Sequence, residues 1–135
     1  MIVLDASVLI AFLDPTDAHH SSARDLVRSA SGQALGASVL TIAEVMVAPV
    51  RAGRTAVVDD ALDALRVQRL ALTADVVVAL AELRVSSGLR MPDCCVLLAA
   101  HATGGTVATF DHRLADAARA LGFDTTSGSA DDCGR

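Results

Sequence analysis

Four carboxylates stand apart from the other acidic residues of this chain by where they fall. Asp5 directly follows the apolar run Ile-Val-Leu. Glu44, one of two glutamates beside Glu82, sits within the largely apolar stretch Ile-Ala-Glu-Val-Met-Val-Ala. Asp93 precedes Cys-Cys-Val-Leu-Leu-Ala-Ala, and Asp111 follows Thr-Val-Ala-Thr-Phe. Each is a charge at the edge of an apolar segment, where an unpaired carboxylate is costly. Singly, each has an ordinary explanation. Asp5 and Asp111 could cap helix N-termini, Glu44 could complete a capping box begun by Thr41, and Asp93 could be a first-turn charge favoured by the helix dipole. Jointly they imply more. Two carboxylates about 5 Å apart repel by roughly 3 kcal/mol at an effective dielectric of 20. A converging set must therefore take up protons or a cation. An all-oxygen donor set suits a hard divalent ion, Mg2+ or Mn2+. One or two such ions can activate water and stabilise the leaving oxygen in phosphodiester hydrolysis.

The elements that must position these residues alternate. Residues 2–4 form a buried-strand pattern, and 6–13 a helix that stops before Asp14-Pro15. A helix over 17–30 follows, ended by Gly32, then a strand over 34–38 and helices over 41–52 and 55–66. Residues 67–72 alternate as a strand, and 74–87 are helical up to Gly88. A helix opens at Pro92, where a missing N–H costs nothing, and stops at Gly104-Gly105. Residues 106–110 are a strand, 112–121 a helix, and 123–125 a last short strand. This order predicts an α/β domain with a small, mostly parallel sheet of four to five strands flanked by helices on both faces. The domain spans residues 1–125, and 126–135 read as a polar, disordered tail. In such sheets chemistry collects beyond the carboxyl ends of the strands, which puts Asp5 and Asp111 on one rim.

Composition sets the limits. The chain has 135 residues, enough for one domain with a real core. Hydrophobic residues make up 53% and aromatics 2%, so the core must be built from Ala, Val and Leu. No apolar run approaches the roughly 20 residues of a membrane span, and the N-terminus lacks the basic region of a signal peptide. Cys94, Cys95 and Cys133 make no spaced framework, so Cys94 and Cys95 read as small buried residues in a reducing cytoplasm. A net charge of −5 speaks against a broad nucleic-acid-binding surface. Yet Lys is absent, and Arg51, Arg54, Arg90 and Arg113 flank the acidic positions. Arg is the better phosphate fork, and a cation held by the carboxylates would reconcile the acidic chain with an anionic substrate. His19 and His20 read as helix-surface residues and His112 as a solvated helix start.

At IVLDASVLIAFLD, TIAEVM, RMPDCCVLLAAHA and VATFDHRLADAARALG, in that order and spacing, the chain resembles the PIN-domain family, and within it the VapC-type toxins of toxin–antitoxin pairs. The resemblance covers residues 1 to about 125. It implies a cytoplasmic, Mg2+- or Mn2+-dependent endoribonuclease, usually a homodimer, acting on structured RNA such as tRNA or rRNA. It also implies inhibition by a VapB-type antitoxin whose C-terminal segment wraps the toxin. Asp5, Glu44, Asp93 and Asp111 match the family's acidic positions, and Ser7 and Thr109 match accessory hydroxyls able to orient a carboxylate or a water. Cys94-Cys95 departs from the small aliphatics more usual after that Asp, but both pack as small apolar residues. Three other readings remain: a nuclease acting on DNA, a non-catalytic binding module, and a phosphotransfer receiver domain. The last expects a Lys that this chain lacks.

Overall fold

The computed structural model describes residues 1–128. Its five strands are β1 (Ile2–Leu4), β2 (Leu35–Ser38), β3 (Gln68–Leu70), β4 (Thr106–Ala108) and β5 (Thr125–Thr126). They form one sheet in the order β3-β2-β1-β4-β5, with every pairing parallel. The helices are α1 (Ala6–Leu13), α2 (His20–Ser29), α3 (Val39–Ala52), α4 (Thr55–Ala64), α5 (Val77–Ser87), α6 (Met91–Thr103) and α7 (His112–Ala120).

The side-chain alternation of β1 builds two cores. Ile2 and Leu4 join the cluster covered by α1 to α4, whereas Val3 points into the opposite cluster with Val107 and the buried face of α6. Both faces of the sheet are thus sealed by helices, as parallel sheets require. The middle of α6 is buried nearly all round: Cys94, Cys95, Val96, Leu97, Ala99 and Ala100 are all buried. Gly104 ends α6 in the left-handed conformation at φ +63°. Gly105 lets β4 run close to β1, since a Cβ there would stand 2.8 Å from the Met1 carbonyl oxygen.

Several expected boundaries move for local reasons. The second helix begins at His20, not 17, because Asp17 turns the chain first, its carboxylate accepting the His19 N–H at 2.8 Å. The helix over 74–87 starts as a 3-10 turn, Ala74–Val76. β4 ends at Ala108 where a strand to 110 was expected, because the Phe110 N–H is claimed by the Ser7 hydroxyl. The last strand lies at Thr125–Thr126, starting two residues and ending one residue later than the expected 123–125. The greater part of the tail read as disordered, residues 129–135 with Cys133, lies outside the described residues. Among the described residues no helix is long and apolar enough to cross a membrane.

Candidate active site

β1 and β4 are adjacent at the centre of the sheet, in register Leu4 to Ala108. The next residues on each strand are Asp5 and Thr109, so the parallel register alone brings them level. This is also where the strand order reverses, with β2 and β3 to one side and β4 and β5 to the other.

Asp5 occupies the N-cap position of α1 but makes no capping bond. Its Oδ2 instead accepts two hydroxyl protons, from Ser7 Oγ at 2.8 Å and from Thr109 Oγ1 at 2.8 Å. Each hydroxyl has one proton to give, and backbone donors fill their acceptor sides. The Phe110 N–H donates to Ser7 Oγ at 3.1 Å and the Asp111 N–H to Thr109 Oγ1 at 3.0 Å. The two hydroxyls therefore knit the β1–α1 junction to the β4–α7 junction through one carboxylate oxygen. Oδ1 is left over. Thr41 Oγ1 is the one sealed side-chain polar atom without a partner among the described residues, so Oδ1 of Asp5, 7% exposed as a residue, must reach solvent at the rim.

Asp111 is a true N-cap. Its Oδ1 accepts the backbone N–H of Arg113 at 2.9 Å and of Leu114 at 3.3 Å. Among the described residues the other oxygen takes no such bond, so there Asp111, like Asp5, is fixed by one oxygen and left over at the other.

Asp93 and Glu44 differ. Asp93 lies in the first turn of α6 with Arg90 at the N-cap. The helix dipole there should favour its charge, yet its carboxyl titrates above its ordinary value. Burial is the largest cause, followed by the nearby charges of Asp5 and Asp111, with Arg90 and Arg113 opposing. Glu44 is raised in the same way, by partial desolvation first and then by Asp5 and Asp93, again against Arg90. The four carboxylates thus form one electrically connected group in which Asp5 acts on both Asp93 and Glu44. The turn that launches Asp93 is held by two guanidinium groups: Arg84 and Arg113 donate to the Gly88 carbonyl oxygen at 3.2 and 3.1 Å.

One expectation needs correction. The Thr41–Glu44 capping box does not form. α3 starts at Val39, its N-cap is Ser38, whose Oγ accepts the Leu40 N–H at 3.3 Å, and Thr41 is buried inside the helix. Glu44 is left with no capping role. Of the two residues read as lying on a helix surface, His19 is exposed at the N-cap of α2 and His20 is partly buried in its first turn. His20 Nδ1 contacts the Ala11 carbonyl oxygen at 2.8 Å, and His19 stacks on Phe110. Of the flanking arginines, Arg90 and Arg113 act on Asp93.

Oxygen donors under mutual repulsion suit a hard divalent cation in chemistry and charge. Among the described residues, however, no three carboxylate, imidazole or thiol groups stand close enough to make a ready ligand set.

The sequence matches the family model of the PIN domain over residues 2–120. The chain belongs to the PIN-domain family. No curated protein matches it. Among solved structures this PIN domain is similar to a toxin–antitoxin complex from Klebsiella pneumoniae, at 17% identity and a TM-score of 0.77, covering 96% of this chain and 98% of that one. It is also similar to VapC20 of Mycobacterium tuberculosis, a sarcin–ricin-loop-cleaving toxin, at 18% identity and a TM-score of 0.73, covering 91% and 96%. A third is VapBC2 of Rickettsia felis bound to a promoter DNA fragment, at 17% identity and a TM-score of 0.69, covering 93% and 98%. At these identities the likeness is one of fold.

Beside the carboxylates, α1, α3 and α4 of this PIN domain enclose a groove of about 570 Å³. Its lining is mainly apolar, with Asp14, Glu44 and Arg54 as its charged members. Ile10 and Val57 line it while 43% and 56% exposed.

Proposed function

We propose that this PIN domain is a Mg2+- or Mn2+-dependent endoribonuclease, the toxin of a VapBC-type pair. The observation that carries the reading is the Asp5-centred coupling: four carboxylates at one sheet rim, two of them raised in pKa by burial and by their neighbours. A site that disfavours its own charges is one that a cation would complete.

Asp5 and Asp111, with their free oxygens, and Asp93 would hold the ion, and Glu44 would hold a second ion or position the attacking water. The ion supplies the positive charge that activates water and stabilises the leaving oxygen. Ser7 and Thr109 fix the Asp5 carboxylate, so its free oxygen needs no reorganisation on binding. Arg90 and Arg113, already felt by Asp93, would neutralise the phosphates of an RNA strand. The apolar groove along α1, α3 and α4 fits an amphipathic helix of a VapB-type antitoxin. Two of the similar folds are toxin–antitoxin assemblies, which supports that partner. The homodimer implied by the resemblance is checked by sedimentation.

Asp5→Asn and Asp93→Asn test the assignment. The Asn amide oxygen still accepts from Ser7 and Thr109, and residue 93 makes no cap, so both variants should fold. Each should lose Mg2+-dependent cleavage of a structured RNA by about 100-fold or more, with a matched DNA hairpin uncut by the parent protein. Full RNA cleavage by both purified variants would sink the assignment.

A further inference from the structure

A second pocket, of about 320 Å³, opens next to the carboxylates and shares Thr109 and Asp111 with them. Its other walls include His19, Phe110, His112 and Arg119. The rings of His19 and Phe110 lie face to face, with centroids 4.8 Å apart and planes inclined by 14°. In a chain whose aromatics are three Phe, with no Trp or Tyr, such a pair beside the rim is conspicuous. Beyond that stack, no hydrogen bond holds the His19 side chain among the described residues. His19 is exposed, and although it occupies the N-cap position of α2 its side chain makes no capping bond.

We infer that this pocket receives an unpaired RNA base adjacent to the cleaved phosphate, stacked on the His19–Phe110 pair, with Arg119 and His112 directed to the neighbouring sugar-phosphate. This rests on the RNA-cleaving reading above and adds to it the selection of a single-stranded position. Single-stranded RNA is recognised by splaying bases onto aromatic rings and guanidinium planes. The platform is formed before any ligand arrives, which lowers the ordering cost of binding.

The charges along α7 fit the same orientation. Asp111 is at the N-cap of α7 and Arg119 in its last turn, a separation of about 12 Å along the axis at 1.5 Å per residue. Arg119 is held in place by Nε donating to Thr125 Oγ1 at 3.0 Å and Nη1 donating to Asp116 at 2.9 Å. Its Nη2 has no protein partner among the described residues. The Asp116 pair is exposed and holds the guanidinium only weakly against a phosphate. A phosphate is thus repelled near Asp111 unless a cation is present, and attracted near Arg119. A neutral base is the group that best fills the space between, over the rings.

The experiment mixes the full chain with the structured RNA used for cleavage, carrying 2-aminopurine in its single-stranded loop, in Mg2+, in a stopped-flow fluorimeter. Cleavage is sampled from the same reactions. Stacking quenches the fluorophore whether or not the strand is later cut. The parent protein should quench it. His19→Ala should weaken binding by about 5- to 100-fold, as loss of one stacking partner does, and should abolish the quench, while His19→Phe should restore both. His19 is exposed, so both variants are expected to melt like the parent, and that control is run alongside. Equal affinity and equal quench for parent and His19→Ala would overturn the inference and leave the nuclease reading standing. A His19-dependent quench without any Mg2+-dependent cleavage would support the pocket and overturn the nuclease reading. An RNA that the parent does not bind at all would overturn both.

Discussion

The candidate site divides into two pairs of carboxylates that solve opposite problems. Asp5 and Asp111 sit at the ends of adjacent strands, and each has one oxygen committed to protein donors: hydroxyls for Asp5, backbone N–H groups for Asp111. Asp93 and Glu44 reach the same rim from the flanking helices α6 and α3, and burial and like charge disfavour their ionised forms. The first pair is built into the fold, so removing its partners should cost stability. The second pair is tolerated by the fold, so neutralising it should cost none. Strand ends give a fixed frame, and helix-borne acids supply charge that the frame alone does not stabilise.

The largest stability effect expected from breaking this contrast is that of Thr109→Val. The change keeps the shape and every charge, but removes the proton given to Asp5 and the acceptor used by the Asp111 N–H, in a side chain 2% exposed. It should cost about 1–3 kcal/mol, since a partner is removed from groups left in place, and urea denaturation in EDTA measures it. An unchanged midpoint would show that the hydroxyl network does not hold the frame. Next comes Asp111→Ala, which should cost about 1 kcal/mol through the lost α7 cap, whereas Asp111→Asn should cost almost nothing because Asn caps as well as Asp. Equal losses for the two variants would mean that the charge, not the cap, is what the fold uses.

Much of this frame was legible in the sequence because strands and helices announce themselves by apolar period and by Gly and Pro punctuation. The order of elements and the parallel sheet followed from that alone. Asp5 and Asp111 could be placed on one rim because both end apolar strands. What stayed hidden involves bonds between residues distant in sequence. The true α3 cap is Ser38, the last residue of β2. With no loop between strand and helix, nothing in the local pattern separated Ser38 from Thr41. The His19–Phe110 stack joins α2 to the β4–α7 junction and has no local signal whatever. The truncation of β4 is also tertiary in origin, since the Ser7 hydroxyl reaches across the sheet to the Phe110 N–H. The resemblance singled out Ser7 and Thr109 as accessory hydroxyls. Their shared hold on one oxygen of Asp5 is a matter of register, which the sequence alone does not express.

The second pair should respond with the opposite sign and smaller size. Asp93→Asn removes a half-buried charge repelled by Asp5 and Asp111, so the metal-free protein should gain about 0.5 kcal/mol. That is the low end of what relieving a functional site returns, because water screens part of the repulsion.

The same repulsion sets a pH dependence. A carboxyl whose folded-state pKa is raised binds more protons in the folded than in the unfolded chain, at pH values between its ordinary value near 4 and the raised one. In that window stability must fall as pH rises, the reverse of ordinary acid denaturation. Asp14 and Asp75 are lowered instead, mainly by the hydroxyls of Thr16 and Thr73, and their contribution is lost only as pH falls below the ordinary carboxylate range. Melting temperature in EDTA should therefore pass through a maximum near the ordinary carboxylate value and decline above it. In Asp93→Asn the decline should be shallower. In Mg2+ it should vanish or reverse, because a bound cation favours the ionised forms and lowers the pKa values that produce it. A melting temperature in EDTA that climbs steadily from pH 4 to 7 in parent and variant alike would mean that Asp93 and Glu44 are as settled in the fold as Asp5 and Asp111, and the contrast between the pairs would fall.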